Sequence, residues 1–266
     1  MVIVNNNNIA QHFRPDELEF IEQVQSWLKV ALDEYRPVLS QFLNPRQQRI
    51  ATTVVNREAT VNHRYYGGQN AEMQRLLIYP SYYEPEVADF EISLLQIDYP
   101  TKFAILKHNQ ILGSLMGLGL TRNTFGDVVN AGHTWQFFVN KDMASYVITN
   151  LTKIDKIKIH LHPVALSLAV RNEDEWENTT ITVSSLRLDV LISETFNLSR
   201  SRVKQMVEAG NVKLNWAEIF KPDYSITLDD WISVRHFGRI RLVEVLGTTK
   251  KEKLRVNINK IENSKK

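Results

Sequence analysis

The pattern of apolar residues predicts an α+β protein of more than one domain. Three observations carry the prediction. A chain of 266 residues exceeds what one core usually holds. Its apolar spacing changes from threes and fours near the start to alternating strand-like and helix-like runs in the middle. Its charge is divided unevenly, since residues 1–181 carry a net −4 and residues 182–266 a net +6, although the whole chain is only +2.

Composition narrows the chemistry. Hydrophobic residues make up 43% and charged residues 23%, as in ordinary folded domains. With no cysteine, a disulfide scaffold, thiol catalysis, iron–sulfur ligation and the Cys-type zinc sites are excluded. No apolar run reaches 18 residues and the start MVIVNNNNIAQHF lacks the features of a signal sequence, so the expectation is a cytoplasmic protein without a membrane partner.

The elements follow in order. Leu18, Ile21, Val24, Trp27, Leu28, Ala31, Leu32 and Tyr35 recur at helical spacing, with Pro15 and Asp16 where a helix starts and the tetra-Asn at Asn5 to Asn8 as a disordered lead-in. Pro37 and Pro45 punctuate further short helices, one carrying Arg46, Arg49 and Ile50 to Val55, which makes residues 1–88 a helical N-terminal region. Gly67-Gly68, two prolines and the tyrosine pairs between 61 and 100 indicate turns with short strands. Residues 89–175 then read β-α-β-β-α-β: FEISLLQIDY, a helix from His108 to Leu118, VVNAG, HTWQFFVN, a helix from Lys141 to Leu151, and KIKIHLHPV. This is the ferredoxin-like, or RNA-recognition-motif-like, order. Sheets of this kind often present one open face, and Trp135, Phe137 and Tyr99 are the aromatics that could stack bases there. The usual aromatic signature is absent, which favours a packed sheet. The acidic run Glu173, Asp174, Glu175 and Glu177 is the best linker.

Residues 182–258 form the last domain and 259–266 a basic tail, with Lys250, Lys251, Lys253, Lys265 and Lys266 adding charge at this end. Leu188, Leu191, Ile192 and Phe196 give a first helix its apolar face, Ser199 caps a second, Val203, Met206 and Val207 bury it, and Gly210 ends it. Arg200, Arg202 and Lys204 remain outward. Arg200 and Lys204 are four apart, and like charges at that spacing repel unless an anion lies between them. Phosphate is the simplest such anion. Read as one strand, residues 235–241 place Arg235, Phe237, Arg239 and Arg241 on one face, a pattern suited to phosphates and a stacked base.

Arg187-Leu188-Asp189, Ser199 to Val203, Gly210, Val212 to Asn215, Lys221-Pro222 and the step before Ile232-Ser233-Val234 resemble the alpha-L (S4-like) RNA-binding domain. That resemblance implies a helix pair docked on structured RNA, with Arg187, Arg200 and Lys204 on phosphates, Ser201 and Arg202 bordering them, and Arg239 on the basic strand that follows. Asn215-Trp216 stands where that family commonly has Asn-Gly, and His236 where it often has Gly. Over the whole chain, with His108 to Val129 and Val234 to Arg239 in support, the sequence resembles the YlmH family. The resemblance implies a non-catalytic, monomeric bacterial RNA-binding protein that needs no cofactor. It further implies action on the large ribosomal subunit and on peptidyl-tRNA in ribosome-associated quality control, with a link to cell division.

Other readings weigh less. Arg187-Leu188-Asp189 is also the tripeptide around the catalytic aspartate of pseudouridine synthases, but the flanking residues differ and an acid at a helix start is the simpler account. The alternative function is an RNA-modifying, pseudouridine-synthase-like enzyme whose catalytic domain lies in residues 1–181 and whose C-terminal domain delivers RNA. A cell-division adaptor for protein partners is a third reading. Gly117-Leu118-Gly119 lacks the third glycine of a dinucleotide fingerprint and ends a helix. Arg122, Phe125, Gly126 and Asp127 mark either a turn held by Asp127 or a partner surface. His160 and His162 point the same way but have no third metal ligand nearby in sequence.

Overall fold

In the computed structural model, which describes residues 17–171, 176–228 and 230–262, Ile21, Val24, Leu28 and Ala31 form the buried stripe of helix α1 (Leu18–Asp33). Pro15, Asp16 and the tetra-Asn lie outside the described residues, as do Glu173, Asp174 and Glu175. The chain divides into two units, residues 1–173 and 174–266.

The first unit differs from the sequence expectation at its start. After α1 come strand β1 (Val38–Leu43), helix α2 (Pro45–Val55), and strands β2 (Val61–Tyr66) and β3 (Gln74–Pro80). The Asn44 side chain accepts from the Gln47 amide and the Gln47 side chain from the Asn44 amide, a capping box that starts α2 with Pro45 at its first turn. The strands form an antiparallel sheet in the order β1-β3-β2, so the region expected to be helical is mixed. Six residues between Pro37 and Asn44 are too few to reveal a period, and β1 finds its partner only from Gln74 onward.

Strand β4 (Ile92–Asp98), helix α3 (His108–Met116), strands β5 (Phe125–Ala131) and β6 (Thr134–Asn140), helix α4 (Ala144–Asn150), the short hairpin β7 (Lys153–Ile154) and β8 (Ile157–Lys158), and β9 (His160–Val164) follow. The four long strands pair antiparallel in the order β5-β6-β4-β9, as the β-α-β-β-α-β reading expects. The last expected strand is split by the hairpin, and Lys141–Met143 is a short 3-10 turn ahead of α4.

Alternation then assigns every layer. Leu95, Ile97, Val128, Trp135, Phe137 and Leu161 face Ile111 and Leu115 of α3 and Val147 of α4. Ile92, Leu94, Val129 and Phe138 face Phe42, Leu77 and Tyr66 of the N-terminal sheet, while Leu43, Leu76 and Ile78 on that sheet's other side cover α1 and α2. Trp135 and Phe137 are therefore core, and Tyr99 packs against the same cluster. Leu166, Ala169 and Val170 also lie on the Phe138 side, where the buried Gln136 carboxamide donates to Gln96 and to the Leu168 carbonyl and accepts from the Val170 amide. The unit is a four-layer helix–sheet–sheet–helix sandwich.

Two ionisable groups, the buried Arg75 and the half-buried Asp127, fasten the inner layers. Arg75 donates to the carbonyls of Ser40, Phe90 and Glu91 at 2.7–3.0 Å. Asp127, within β5, accepts from the amides of Glu72 (2.7 Å) and Met73 (3.1 Å), so it clasps a segment distant in sequence and does not hold the local turn, where Arg122 donates to the Phe125 and Gly126 carbonyls. Burial pushes the Asp127 carboxyl up to about 6.

Beginning the second unit, strand β10 (Glu177–Val183) leads to helices α5 (Leu188–Phe196) and α6 (Arg200–Glu208). Strands β11 (Val212–Leu214), β12 (Ala217–Glu218), β13 (Trp231–Val234), β14 (Gly238–Thr248) and β15 (Leu254–Glu262) complete it. They form one antiparallel sheet in the order β10-β15-β14-β13-β11-β12. Val183, Val212, Ile232, Ile240, Leu242, Val256 and Ile258 meet Leu191, Val203 and Val207 of the helices in a single core. Glu177 pairs with Lys260, so this unit starts before residue 182 and residues 259–262 are strand instead of tail; 263–266 lie outside the described residues.

Two outcomes test this packing. Phe42 is fully buried between the sheets, and Phe42→Ala is expected to cost about 3–5 kcal/mol in urea denaturation of the full chain. Because the folded Asp127 binds its proton more tightly than the unfolded one, its contribution to stability is fully present below the ordinary value of 3.8 and is lost as pH rises through about 6. Asp127→Asn removes that decline, measured by thermal melts across the range.

Candidate nucleic-acid interface

Helix α5 is aimed by the segment 222–226. Leu188 donates to the Tyr224 carbonyl and Asp189 to that of Pro222, both at 2.9 Å, while Ile226 donates to Leu186 at 2.8 Å. These bonds satisfy amides that a helix start otherwise leaves open. The turn to α6 is set by Asn197, which adopts left-handed φ, and by Ser199, whose hydroxyl accepts from the Arg202 amide. Helix α6 ends in a Schellman motif, with Gly210 at φ +71° and amide bonds from Gly210 to Val207 and from Asn211 to Met206.

On this frame one carboxylate holds two cations. Asp189, with 7% of its side chain exposed, accepts from Arg187 Nε (3.0 Å) and Nη2 (3.1 Å) and from Arg200 Nη2 (2.9 Å). The Arg187 and Arg200 side chains remain 41% and 57% exposed. Arg187 Nη1 and Arg200 Nε and Nη1 bond to no described group, so donors still point outward from a fixed fork. Burial pushes the Asp189 carboxyl up, but hydrogen bonds from Arg187 and Arg200 outweigh it and hold it below the ordinary carboxylate value.

The remaining expected residues do not all gather around this pair. Ser201 and Arg202 are exposed in the first turn of α6, and Arg202 lies 5.5 Å over the Phe237 ring, which itself meets Phe196. Lys204 is 3.8 Å from Glu208. With Asp189 beside Arg200 and Glu208 beside Lys204, protein acids relieve the repulsion that the spacing implied, so the spacing alone does not require an outside anion.

Residues 235–241 are not one strand. Arg235, His236 and Phe237 form the turn between β13 and β14, which places Arg235 exposed at the tip and Phe237 half-buried against the core. His236 and Gly238 carry φ of +71° and +145°, and a Cβ on Gly238 would meet the Ile261 carbonyl, a turn chemistry that period-two reading cannot see. Arg239 and Arg241 alternate with the buried Ile240 and Leu242, so they lie on the sheet face away from the helices. Sequence reasoning missed what surrounds them: Arg241 sits 5.4 Å over Trp231, which is edge-on to Trp176 and tilted against Trp216. The tryptophans lie far apart in sequence, and only strand order joins them.

The fold agrees with comparisons to known proteins. The family model described as "Putative RNA-binding domain in YlmH" matches residues 85–167, and the S4 domain model matches residues 186–232. The "Ribosome-associated protein quality control protein P2" of Bacillus subtilis (strain 168) is 37% identical over 255 residues, covering 96% of this chain and 99% of that one. The chain belongs to the YlmH family. A solved structure, "Cell division protein ylmH from Streptococcus pneumoniae", is 30% identical with a TM-score of 0.52, covering 60% of this chain and 97% of that one.

Within this YlmH-family chain the two departures from the S4 pattern keep the backbone the pattern needs. Asn215 and Trp216 adopt φ of 49° and 66° between β11 and β12, the geometry that Asn-Gly would give more cheaply. Asn215 is held there by bonds to Asp230 and to the Trp231 amide. Gathered charge elsewhere is sparse: among the described residues no three His, Asp or Glu side chains form a metal-type cluster, and His162 Nδ1 lies 2.8 Å from Asp98.

The substitution Asp189→Asn keeps shape and removes charge. It is expected to lower stability by about 1–3 kcal/mol, the range for lost charge-assisted bonds. Asp189 has a depressed folded pKa, so its contribution is present above the ordinary value of about 3.9 and lost as pH falls below it. Melts of both forms at neutral pH and near pH 3 check both statements: the gap between them narrows in acid.

Proposed function

We propose that this chain is a non-catalytic RNA-binding factor that grips ribosomal RNA of the large subunit through the α5–α6 face. One observation carries the reading: a buried aspartate fixes two half-exposed arginines, one from each helix start, with donor groups left over. Fixed guanidiniums suit phosphate because their fork matches the oxygens and little side-chain freedom remains to be lost on binding. Contacts of this type recognise shape and backbone with little base preference, and their affinity falls steeply with salt.

The relatives point the same way. A protein named for ribosome-associated quality control covers nearly the whole chain, which supports action in that process; we further assign subunits carrying peptidyl-tRNA as its target. The solved relative's name connects the family to cell division, and ribosome work in the cytoplasm is the direct activity we assign here. Both Asp189 oxygens accept from guanidiniums, which speaks against catalysis by that carboxylate; the alternative of an RNA-modifying enzyme with its catalytic domain in residues 1–181 instead predicts an altered nucleoside after incubation with total tRNA and ribosomal RNA.

The double substitution Arg187→Ala, Arg200→Ala tests the assignment. It is expected to weaken binding to purified large subunits about thirty- to a thousand-fold, as two lost charge-assisted contacts of about 1–2 kcal/mol each imply. Co-sedimentation equal to wild type sinks the reading.

A further inference from the structure

The middle domain matches a family model whose description is RNA-binding, yet neither face of its sheet is open. Trp135, Phe137 and Leu95 lie under α3 and α4, and Phe138, Leu94 and Val129 lie under the N-terminal sheet and residues 166–170. Base stacking on that sheet is sterically closed. A contact made by this domain must use an edge, an end or a loop.

We propose that the contact is the end of the domain formed by the loop 99–107 and the β7–β8 hairpin, and that its occupant is an unpaired stretch of RNA. This rests on the assignment of the chain as an RNA-binding factor. The loop carries Phe103, 90% exposed, and Ile105, 77% exposed, the two most exposed large apolar side chains of the described residues. Neither belongs to a core cluster, whereas the next residue, Leu106, is buried and anchors the loop. An aromatic held in water offers a face to any base.

Around it the charge is basic. Lys102 and Lys107 flank the two apolar side chains, and Lys153, Lys156 and Lys158 are exposed on the hairpin. The two segments are neighbours: Lys107 caps α3, and Gln110 one turn along approaches Asp155, at the hairpin tip, to 3.5 Å. Asp98 pairs with His160 at the same end, and the exposed His133 lies in the adjoining β5–β6 turn. Five lysines against Asp98 and Asp155 stand out in a region whose net charge is −4 over residues 1–181. An aromatic platform ringed by ammonium groups matches a base with phosphates on either side. An apolar protein pocket would need Phe103 and Ile105 but no lysines.

The chain has no cysteine, so the exposed Thr101, two residues from Phe103, can be made its one thiol. The full-length Thr101→Cys variant, carrying a benzophenone crosslinker, is bound to purified large ribosomal subunits and irradiated. A Lys204→Cys variant on α6 is treated in parallel. The expected result is crosslinking of Thr101→Cys to discrete ribosomal RNA positions. Crosslinks only to ribosomal proteins, or none, overturn the proposal. RNA crosslinks from Lys204→Cys without any from Thr101→Cys leave the α5–α6 assignment standing while the loop contact falls; the reverse pattern removes that assignment and keeps the loop. As a second readout, Lys102→Glu, Lys107→Glu, Lys156→Glu is expected to bind subunits at least ten-fold more weakly with an unchanged melting temperature, and unchanged affinity contradicts the proposal.

Discussion

Asp189 accepts hydrogen bonds from Arg187 and Arg200 together, and the direction of both guanidiniums follows from that one carboxylate. It stands in the first turn of α5, where the helix dipole favours negative charge, and its amide is tied to Pro222. Without it, two cations from different helix starts, thirteen residues apart in sequence, would share a surface with nothing to orient them. With it, each arginine keeps donor groups pointing outward while part of its charge is met from below. Part of the attraction for an anion is thereby given up, and the geometry for a phosphate is gained.

How far this was legible in the sequence varies from element to element. The helix pair was, because Ser199, Gly210 and the apolar positions of α5 and α6 are local signals that act within a turn or two. The β-α-β-β-α-β order was legible for the same reason. Strand β1 was not, since its identity depends on hydrogen bonds to β3 more than thirty residues later. The Asp189 yoke was hidden as well: Arg187 and Asp189 are two apart, but Arg200 comes to them only through the packing of α6 on α5. Period-two reasoning misplaced residues 235–237 because left-handed backbone at His236 turns the chain where the residue types look strand-like. Arg239 and Arg241 accordingly occupy the opposite face of the sheet, where Arg241 lies over Trp231.

The first unit follows a different constraint. A sheet of RNA-recognition order commonly leaves one side free, but here a second sheet and the segment 166–170 cover it, with Gln136 and Arg75 supplying the polar bonds inside. Burying that side gives the unit a larger core and removes the usual base platform. What remains accessible are the ends, and on one of them apolar and basic side chains project together.

The central claim is that the arginines held by Asp189 meet an RNA backbone. Electron cryomicroscopy of the full chain on the large ribosomal subunit, at a resolution that shows side chains, tests it most directly. The account predicts phosphate oxygens within hydrogen-bond distance of Arg187 and Arg200 while both still hold Asp189. A complex in which the α5–α6 face looks into solvent, or rests on ribosomal protein alone, contradicts it.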